Sequence, residues 1–405
     1  MSEGPSPSPE QAAETGTLAA RIALKQRSGG VLVPLATVVV AFLIGGLVVL
    51  ATGHNPLLAY RDIFDGAGLN WIFHPTTNIA NTAAYNLSQT LLQTTTLILC
   101  GLAVAFAFRC GMFNIGGQGQ YFVGFYVANW LGVDFAKMSP LPHILIAIGG
   151  AVLAGAAWAA IAGVLKATVG AHEVISTIML NWIAIWIGEW LVADGGPLQN
   201  AGQAFNPSSN QVAASAQLPV FWGQQQLQGL DIGIFIALAA LVVFWAVLNR
   251  TTLGYEVRAV GFNPDAAAYG GINVRKNIVR AMAISGAFAG LAGALDMLGY
   301  LYQYSQNDIP VSQVGFLGIA VALLGRNTAV GVLLGSLLFG GLLFGTTHGL
   351  TSNVIQPELA GNLTYIIQGL IVLFVGADVL ILYIWNSRRR LRRRGSAAGA
   401  AEVAG

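Results

Sequence analysis

Long, uninterrupted apolar runs are the feature of this sequence that most limits what it can fold into. Several windows of about 20 residues contain almost no charge, and a helix of that length crosses the roughly 30 Å hydrocarbon layer of a bilayer. The composition agrees, because 55% of the residues are apolar and only 9% are charged. The runs are continuous and do not alternate with polar residues, so they predict helices and not barrel strands.

We therefore predict an all-α polytopic membrane protein with about ten transmembrane helices. The predicted spans are 31–51, 83–108, 114–133, 143–166, 174–193, 231–249, 280–302, 313–325, 328–348 and 361–385. Together they form a transmembrane domain at 30–386, flanked by a tail at 1–29 and a basic tail at 387–405, both expected to be disordered. The first span is too long for the core of a signal peptide, so we expect it to be retained.

The positions of lysine and arginine predict the orientation. With a cytoplasmic N-terminus, 17 of the 19 lysines and arginines lie on the cytoplasmic side, as the positive-inside rule requires. An even number of spans then places both termini in the cytoplasm, and the expected location is the cell (inner or plasma) membrane. Five spans lie on each side of the outer loop at 195–230, which favours an inverted five-plus-five repeat.

Two predicted spans in corresponding positions of the two halves are broken or short. The third contains Gly116, Gly117, Gly119 and Gly124, and the eighth, at 313–325, has only about 13 residues. Short, glycine-broken segments at matching positions indicate the substrate path in transporters. The alternative is that the glycines only allow neighbouring helices to pack closely.

Amide and aromatic side chains lie in and beside these segments. Amides offer hydrogen-bond donors and acceptors without a fixed charge, which suits a neutral solute that carries hydroxyl groups. Aromatic rings can stack on a sugar face or a nucleobase, although in spans they more often contact lipid or other helices. The substrate-path candidates are Phe113, Asn114, Gln118, Asn181, Trp182, Gln313 and Phe316.

No catalytic or metal-binding pattern is visible. The sequence has no phosphate-binding loop of the Gly-x-x-x-x-Gly-Lys type, so any ATP must be bound by another subunit, and this chain is predicted to hold no cofactor. Cys100 and Cys110 are expected to be plain buried thiols. Of the acidic residues in spans, Glu189 and Asp296 are expected to meet water in an outer vestibule, and Asp378 is expected to pair with the arginines of the C-terminal tail.

The polar loop at 250–279 predicts a short capped helix. Asn263 is suited to the N-cap, Pro264 to the first helical position and Asp265 to the first turn, where its charge opposes the helix dipole. Gly271 marks the end. A helix of about two turns is not stable alone, so its surroundings must hold it.

Three segments of the chain resemble the permeases of ABC importers for branched-chain amino acids, ribose and nucleosides. These segments are 106–120, 258–272 and 318–326, and the resemblance extends over about residues 80 to 385. The segment 173–181 is most similar to the nucleoside or simple-sugar branch. Asp265-Ala266-Ala267 followed by Gly271 resembles the loop that these permeases insert into a groove of their ATPase, with Asp in place of Glu and without the Ile-x-Leu-Pro ending.

The resemblance implies a permease subunit that moves nucleosides or a related sugar-bearing solute. It implies an ABC ATPase that binds the ATP, a second homologous permease subunit and an extracytoplasmic substrate-binding protein, often a lipoprotein. The residues expected to couple to the ATPase are Arg258, Pro264, Asp265, Ala266, Ala267 and Gly271. We expect the arginines at 388–394 to contact anionic membrane lipid, and we expect no nucleic-acid partner.

Three other functions stay open at this point. Ribose-like monosaccharides are the main competing solutes, ahead of branched-chain amino acids. An ion- or proton-coupled secondary carrier would move a solute without ATP, and a membrane scaffold would move none.

Overall fold

The computed structural model describes residues 34–75, 82–202, 207–311 and 313–350, together with 362, 365–371 and 373. The helices are α1 (Pro34–Ala51), α2 (Pro56–Gly66), α3 (Thr82–Arg109), α4 (Gly117–Asp134), α5 (Pro140–Val169), α6 (Glu173–Val192), α7 (Gly233–Arg250), α8 (Thr252–Phe262), α9 (Pro264–Tyr269), α10 (Val274–Asp296), α11 (Asp308–Val311), α12 (Val314–Leu324) and α13 (Ala329–Gly349). A short antiparallel hairpin pairs β1 (Val220–Trp222) with β2 (Leu230–Asp231).

Seven of the described helices are long and apolar enough to cross a membrane: α1, α3, α5, α6, α7, α10 and α13. This confirms the all-α polytopic architecture. The predicted tails at 1–29 and 387–405, Asp378 and most of the predicted span 361–385 lie outside the described residues. The third and seventh predicted spans start in different places from the helices, because α4 begins at Gly117 and α10 at Val274.

α3 is the central helix of the bundle. In the most apolar window of α3, 83% of the residues are buried within the chain. In the corresponding window of α5, only 22% are buried. A membrane helix that is enclosed by protein must pack on its neighbours all round, and α3 contacts α7, α10, α12 and α13. α5 leaves most of its surface for lipid or for another subunit.

Glycines allow α4, α5 and α10 to pack at backbone contact. A methyl carbon at Gly286 would lie 2.2 Å from the carbonyl oxygen of Gly155, and one at Gly290 would lie 2.4 Å from that of Ala151. Membrane helices associate through such small-residue surfaces, because lipid tails are as apolar as the side chains.

Helix α2 lies between the first two predicted spans and was not predicted. The helix has only 11 residues and carries Arg61 and Asp62, so no apolar run marks it. It starts at an N-cap formed by Asn55 and packs on α13, where a methyl carbon at Gly349 would lie 2.0 Å from the carbonyl oxygen of Asp62.

The bundle has two ends that differ in structure. α7 runs from the β-hairpin to α8, so the hairpin and the α8–α9 pair lie at opposite ends. We call these the hairpin end and the α8–α9 end.

Candidate functional site

The two broken segments meet inside the bundle. The backbone from Met112 to Ile115 is not helical, and α4 starts just after it. α12 is only 11 residues long. The Oε1 atom of Gln118, in the first turn of α4, accepts a hydrogen bond of 2.7 Å from the backbone N–H of Gly315 in the first turn of α12. The start of the short helix is therefore held by an amide from the broken one.

Asn114 organises the irregular segment before α4. Its Nδ2 donates to Gln120 Oε1 at 2.8 Å and to Ser285 Oγ at 2.7 Å. Its Oδ1 accepts from the backbone N–H of Gly116 at 2.9 Å. The side chain is fully buried, and this network satisfies its donors and acceptors, as buried polar groups require.

Asn181 fixes the same segment from α6. Its Oδ1 accepts from the N–H of Gly119 at 2.8 Å, and its Nδ2 donates to the carbonyl of Ile115 at 3.0 Å. In this conformation the amides of Asn114, Gln118 and Asn181 are all engaged within the chain. Their place in the substrate path stays a prediction.

The other four path candidates have different surroundings. Phe113 stacks on Phe108, with ring centroids 5.1 Å apart. Trp182 is 54% exposed and Phe316 is 40% exposed. Gln313 is exposed at the start of α12. None of these four is buried among the three amides, and their role in the path likewise stays a prediction.

An aromatic cavity lies beside the start of α12 on its hairpin side. Its volume is about 340 Å³, within the range of small-molecule sites. Aromatic side chains dominate its walls: Tyr121, Phe122, Phe125, Tyr300 and Tyr304, with Val314 of α12 below them. None of these residues was a path candidate, because aromatic residues in a span give the same sequence pattern whether they line a cavity or contact lipid.

A second cavity of about 390 Å³ shares Tyr300 and Leu301 with the first. Its other lining residues are Gln211, Gln217, Gln225, Gln228 and Tyr302. The amide of Gln225 donates to Tyr302 Oη at 2.9 Å. We call the two spaces the aromatic cavity and the glutamine cavity.

A buried carboxylate supports the wall of the aromatic cavity. The hydroxyl of Tyr121 donates to Asp296 Oδ2 at 2.7 Å, and the hydroxyl of Thr96 donates to the other oxygen. The expectation that Asp296 meets water in a vestibule was wrong, because only 2% of the residue is exposed. Two hydroxyl donors replace water as its partners. Glu189 is half-buried on α6.

Asp231 is a second buried carboxylate that the sequence did not mark. It precedes α7 in β2 and is 3% exposed. The N–H of Gly233 donates to its Oδ1 at 2.5 Å. Burial raises the pKa of Asp231 to about 6, although this hydrogen bond acts in the opposite direction. A methyl carbon at Gly299 would lie 2.4 Å from Asp231 Oδ2, so the carboxylate packs directly on the turn that follows α10.

At the α8–α9 end, the short capped helix is confirmed. Asn263 Oδ1 accepts from the N–H groups of Asp265 and Ala266, each at 3.0 Å. The helix starts at Pro264, and Gly271 follows it with φ +85°. Of the α9 residues only Ala267 is buried, and two aromatic residues at its ends, Phe262 and Tyr269, are 95% and 97% exposed. The helix therefore presents almost its whole surface for contact.

α8 packs tightly on the turn that ends α3. A methyl carbon at Gly261 would lie 2.3 Å from the carbonyl oxygen of Arg109, and one at Gly111 would lie 3.2 Å from Gly261 Cα. The guanidinium of Arg109 also donates twice to the carbonyl of Asn327, at 2.9 and 2.6 Å. Arg258 is exposed and donates to the carbonyl of Gly254 at 3.2 Å. The turn that ends α3 therefore contacts α8, leads directly into the segment before α4 and is hydrogen-bonded to the residues after α12.

No group of three or more His, Cys, Asp or Glu side chains among the described residues could hold a metal ion. Cys100 and Cys110 are buried free thiols, as predicted.

Comparisons with known proteins agree on one family. The family described as "branched-chain amino acid transport system / permease component" matches residues 86–376. The chain is 38% identical to the guanosine ABC transporter permease protein NupP of Bacillus subtilis (strain 168), over 92% of this chain and 99% of the relative. It is 32% identical to the nucleoside ABC transporter permease protein NupB of Lactococcus lactis subsp. cremoris (strain MG1363), over 88% and 94%.

A sugar permease is also similar. The chain is 31% identical to the glucose ABC transporter permease protein TsgB13 of Haloferax volcanii, over 84% of this chain and 86% of the relative. No solved structure matches the chain.

Proposed function

The chain belongs to the permease-component family of the branched-chain amino acid transport system, and from that premise we propose that it carries nucleosides, or a related sugar-bearing solute, into the cell. It is a multi-pass integral membrane protein and the permease subunit of an ABC importer. It is therefore not an enzyme itself. Permeases of this class work with an ATPase and a substrate-binding partner.

The solute assignment is carried by the relatives. Two proteins named for guanosine or nucleoside transport are similar to this chain over 92% and 88% of its length. The aromatic and glutamine side chains of the two cavities suit a solute with a planar ring and several hydroxyl groups.

We further propose ten spans with both termini in the cytoplasm and an inverted five-plus-five repeat. The α8–α9 end is then cytoplasmic, because Arg250, Arg258, Arg275, Lys276 and Arg280 lie in or beside its loop and positive charge favours that side. The hairpin end faces the binding protein. The arginines at 388–394 lie where they would meet anionic lipid.

In the proposed mechanism, α9 docks on the ATPase. The contact set is Arg258, Pro264, Asp265, Ala266, Ala267 and Gly271, of which only Ala267 is buried within this chain. ATP binding closes the ATPase pair and moves α8 and α9. Because α8 contacts the Arg109–Gly111 turn at backbone distance, the movement passes to the segment before α4 and to α12.

The proposed complex contains this permease, a second homologous permease, the ATPase and an extracytoplasmic binding protein or lipoprotein. ATP binds to the ATPase, and this chain holds no cofactor. Asn114, Gln118 and Asn181, with the aromatic residues near them, contribute to the path as the two halves rock between outward and inward openings.

Monosaccharides are the second candidate solutes. The glucose permease relative, at 31% identity over 84% of this chain, supports them. The glutamine side chains suit the hydroxyl groups of a sugar, and aromatic rings can stack on a sugar face.

Uptake of radiolabelled uridine, adenosine and ribose, in cells that lack the gene and in complemented cells, tests the assignment. We expect the gene to restore saturable uptake of a nucleoside, and depletion of ATP to abolish it. Restoration of ribose uptake alone would replace the nucleoside assignment with the monosaccharide one.

A further inference from the structure

We propose that the aromatic cavity is the chamber in which the permease holds the planar ring of its solute during transport. This inference deepens the proposed function and rests on it. It assigns a binding role to Tyr121, Phe125 and Tyr304, which lie outside the set of path candidates that the sequence suggested.

The aromatic rings of the cavity wall pack on one another. The centroids of Tyr121 and Phe125 are 5.8 Å apart, with their planes 23° from parallel. The centroids of Phe125 and Tyr304 are 5.3 Å apart, with their planes tilted by 59°. Aromatic side chains in a binding groove stack on bases, and they do so with little preference among bases.

The cavity also has polar lining residues. Gln303 and Asp308 line it beside the aromatic side chains. The Asp308 carboxylate accepts hydrogen bonds from the backbone N–H and the hydroxyl of Ser305, each at 2.8 Å. Amide and carboxylate groups form hydrogen bonds with the amino groups, ring nitrogens and hydroxyls of a nucleoside.

The floor of the cavity is the start of α12. Val314 lines the cavity, and Gln118 holds the next residue, Gly315, in place at 2.7 Å. The N-terminal end of a helix carries partial positive charge, and half-helices in transporters direct this end at the substrate. The start of α12 therefore favours an electronegative group of the solute, whereas the Asp308 carboxylate in the same lining favours a hydrogen-bond donor.

The wall between the two cavities has irregular backbone. Residues Met297–Leu301 form a π-helical turn, and Tyr302 has φ +60°. π-turns are frequent at functional sites, and a left-handed conformation is uncommon for a residue other than glycine. Tyr300 and Leu301 belong to both cavities, so the glutamine cavity and the aromatic cavity lie in series across this wall.

Photolabelling tests the site directly. The complete importer in lipid nanodiscs, with its ATPase, second permease and binding protein, is irradiated with 8-azidoadenosine and digested for mass spectrometry. We expect label in the peptides that contain residues 121–125 and 300–304. Excess adenosine should remove it, and excess ribose should not.

Variants at Tyr304 distinguish the effect of losing the aromatic ring from the effect of losing packing in general. Tyr304→Leu removes the stacking face and should lower the number of adenosine molecules imported per ATP about tenfold, the size of one base–aromatic contact. Tyr304→Phe keeps the ring and loses only the hydroxyl, so its import of adenosine per ATP should fall less than that of Tyr304→Leu.

Phe244→Leu is the matched control. Phe244 is 2% exposed, as is Tyr304, but it packs on Phe106 and Phe288 away from both cavities. General loss of packing would therefore appear in both leucine variants. Only Tyr304→Leu should lower the import of adenosine per ATP.

The outcomes distinguish this inference from the proposed function. If the natural importer takes up no nucleoside, the proposed function fails and the inference fails with it. If it imports adenosine while the label maps to other segments, or while Tyr304→Leu and Phe244→Leu behave alike, the nucleoside function stands and the aromatic cavity is not the binding chamber.

Discussion

The side-chain oxygen of Gln118 accepts a hydrogen bond of 2.7 Å from the backbone N–H of Gly315. A methyl carbon at Gly315 would lie 2.4 Å from Gln118 Cα, so the two helix starts touch at their backbones. Gly315 is buried in the first turn of α12, so its N–H, which has no acceptor within the helix, needs an acceptor from elsewhere in the protein. Gln118 supplies an acceptor from a different helix.

Replacing Gln118 with Leu should therefore leave a buried N–H without its acceptor. We expect a loss of about 1–3 kcal/mol in stability, measured as a fall in the melting temperature of the detergent-solubilised importer. Gln224→Leu is the control, since Gln224 is exposed at the hairpin end. Equal melting temperatures for the two variants would contradict a structural role for the Gln118 amide.

Much of this junction could be predicted from the sequence. Glycine-rich, short segments at matching positions indicated that the third and eighth spans are special, and Gln118 was among the candidates. The sequence could not show that Asn114, Gln118 and Asn181 form hydrogen bonds to backbone and to one another, because an amide in a span gives the same pattern whether it faces a solute or a neighbouring helix.

A second prediction concerns the cap of α9. Asn263→Ala removes the acceptor for two N–H groups, and loss of such a cap costs about 1 kcal/mol. In a helix of six residues this should unfold much of the docking surface, so ATP hydrolysis by the assembled importer should respond less to the loaded binding protein.

The control is Asn273→Ala. Asn273 caps α10 through a hydrogen bond of 2.9 Å from the N–H of Lys276, but α10 has 23 residues and is held by its packing. We expect the stimulated ATPase activity to be close to that of the natural protein. A larger loss for Asn273→Ala than for Asn263→Ala would count against α9 as the coupling element.

The third prediction tests the contact between α8 and the end of α3. Gly261→Ala places a methyl carbon about 2.3 Å from the carbonyl of Arg109, so one of the two segments must move. Overpacking of this kind costs about 1–3 kcal/mol. We expect import to fall more than ATP hydrolysis, because the contact transmits movement.

Gly270→Ala serves as the comparison for that variant. A methyl carbon there would lie 3.5 Å from its nearest neighbours, an ordinary contact. Its ratio of import to ATP hydrolysis should match the natural value. Unchanged coupling in Gly261→Ala would show that movement reaches the bundle by another contact.

The fourth prediction concerns pH and Asp231. Its pKa in the fold, about 6, is above the ordinary value of 3.8, so its ionised form is disfavoured in the folded state. Asp231 has no effect on the free energy of unfolding when the pH is below both its unfolded and its folded pKa. That free energy falls as the pH rises from 3.8 to about 6, and the destabilisation is complete above about pH 6. Asp231→Asn keeps an oxygen to accept the Gly233 N–H and removes the charge.

We therefore expect Asp231→Asn to raise the melting temperature at about pH 7.5 and to change it much less at about pH 4.5. Thermal unfolding at the two pH values measures the difference. An equal effect at both would mean that the charge of Asp231 is not what destabilises the fold.

The parts of the site that could not be predicted depend on long-range packing. Tyr121 and Asp296 are far apart in sequence and meet across α4 and α10 at 2.7 Å. Helix α2 could not be predicted, because its 11 residues include charged side chains and form no apolar run. By contrast, Asn263 and Pro264 form the predicted cap and helix start, because a cap depends on residues that adjoin in sequence.

ATP-driven import of a nucleoside by the reconstituted importer tests the central claim most directly. In proteoliposomes with ATP at the ATPase face and loaded binding protein at the other, we predict uptake of labelled adenosine that requires hydrolysable ATP and is insensitive to a proton ionophore. Uptake that persists without ATP and collapses with the ionophore would contradict the account and identify a secondary carrier.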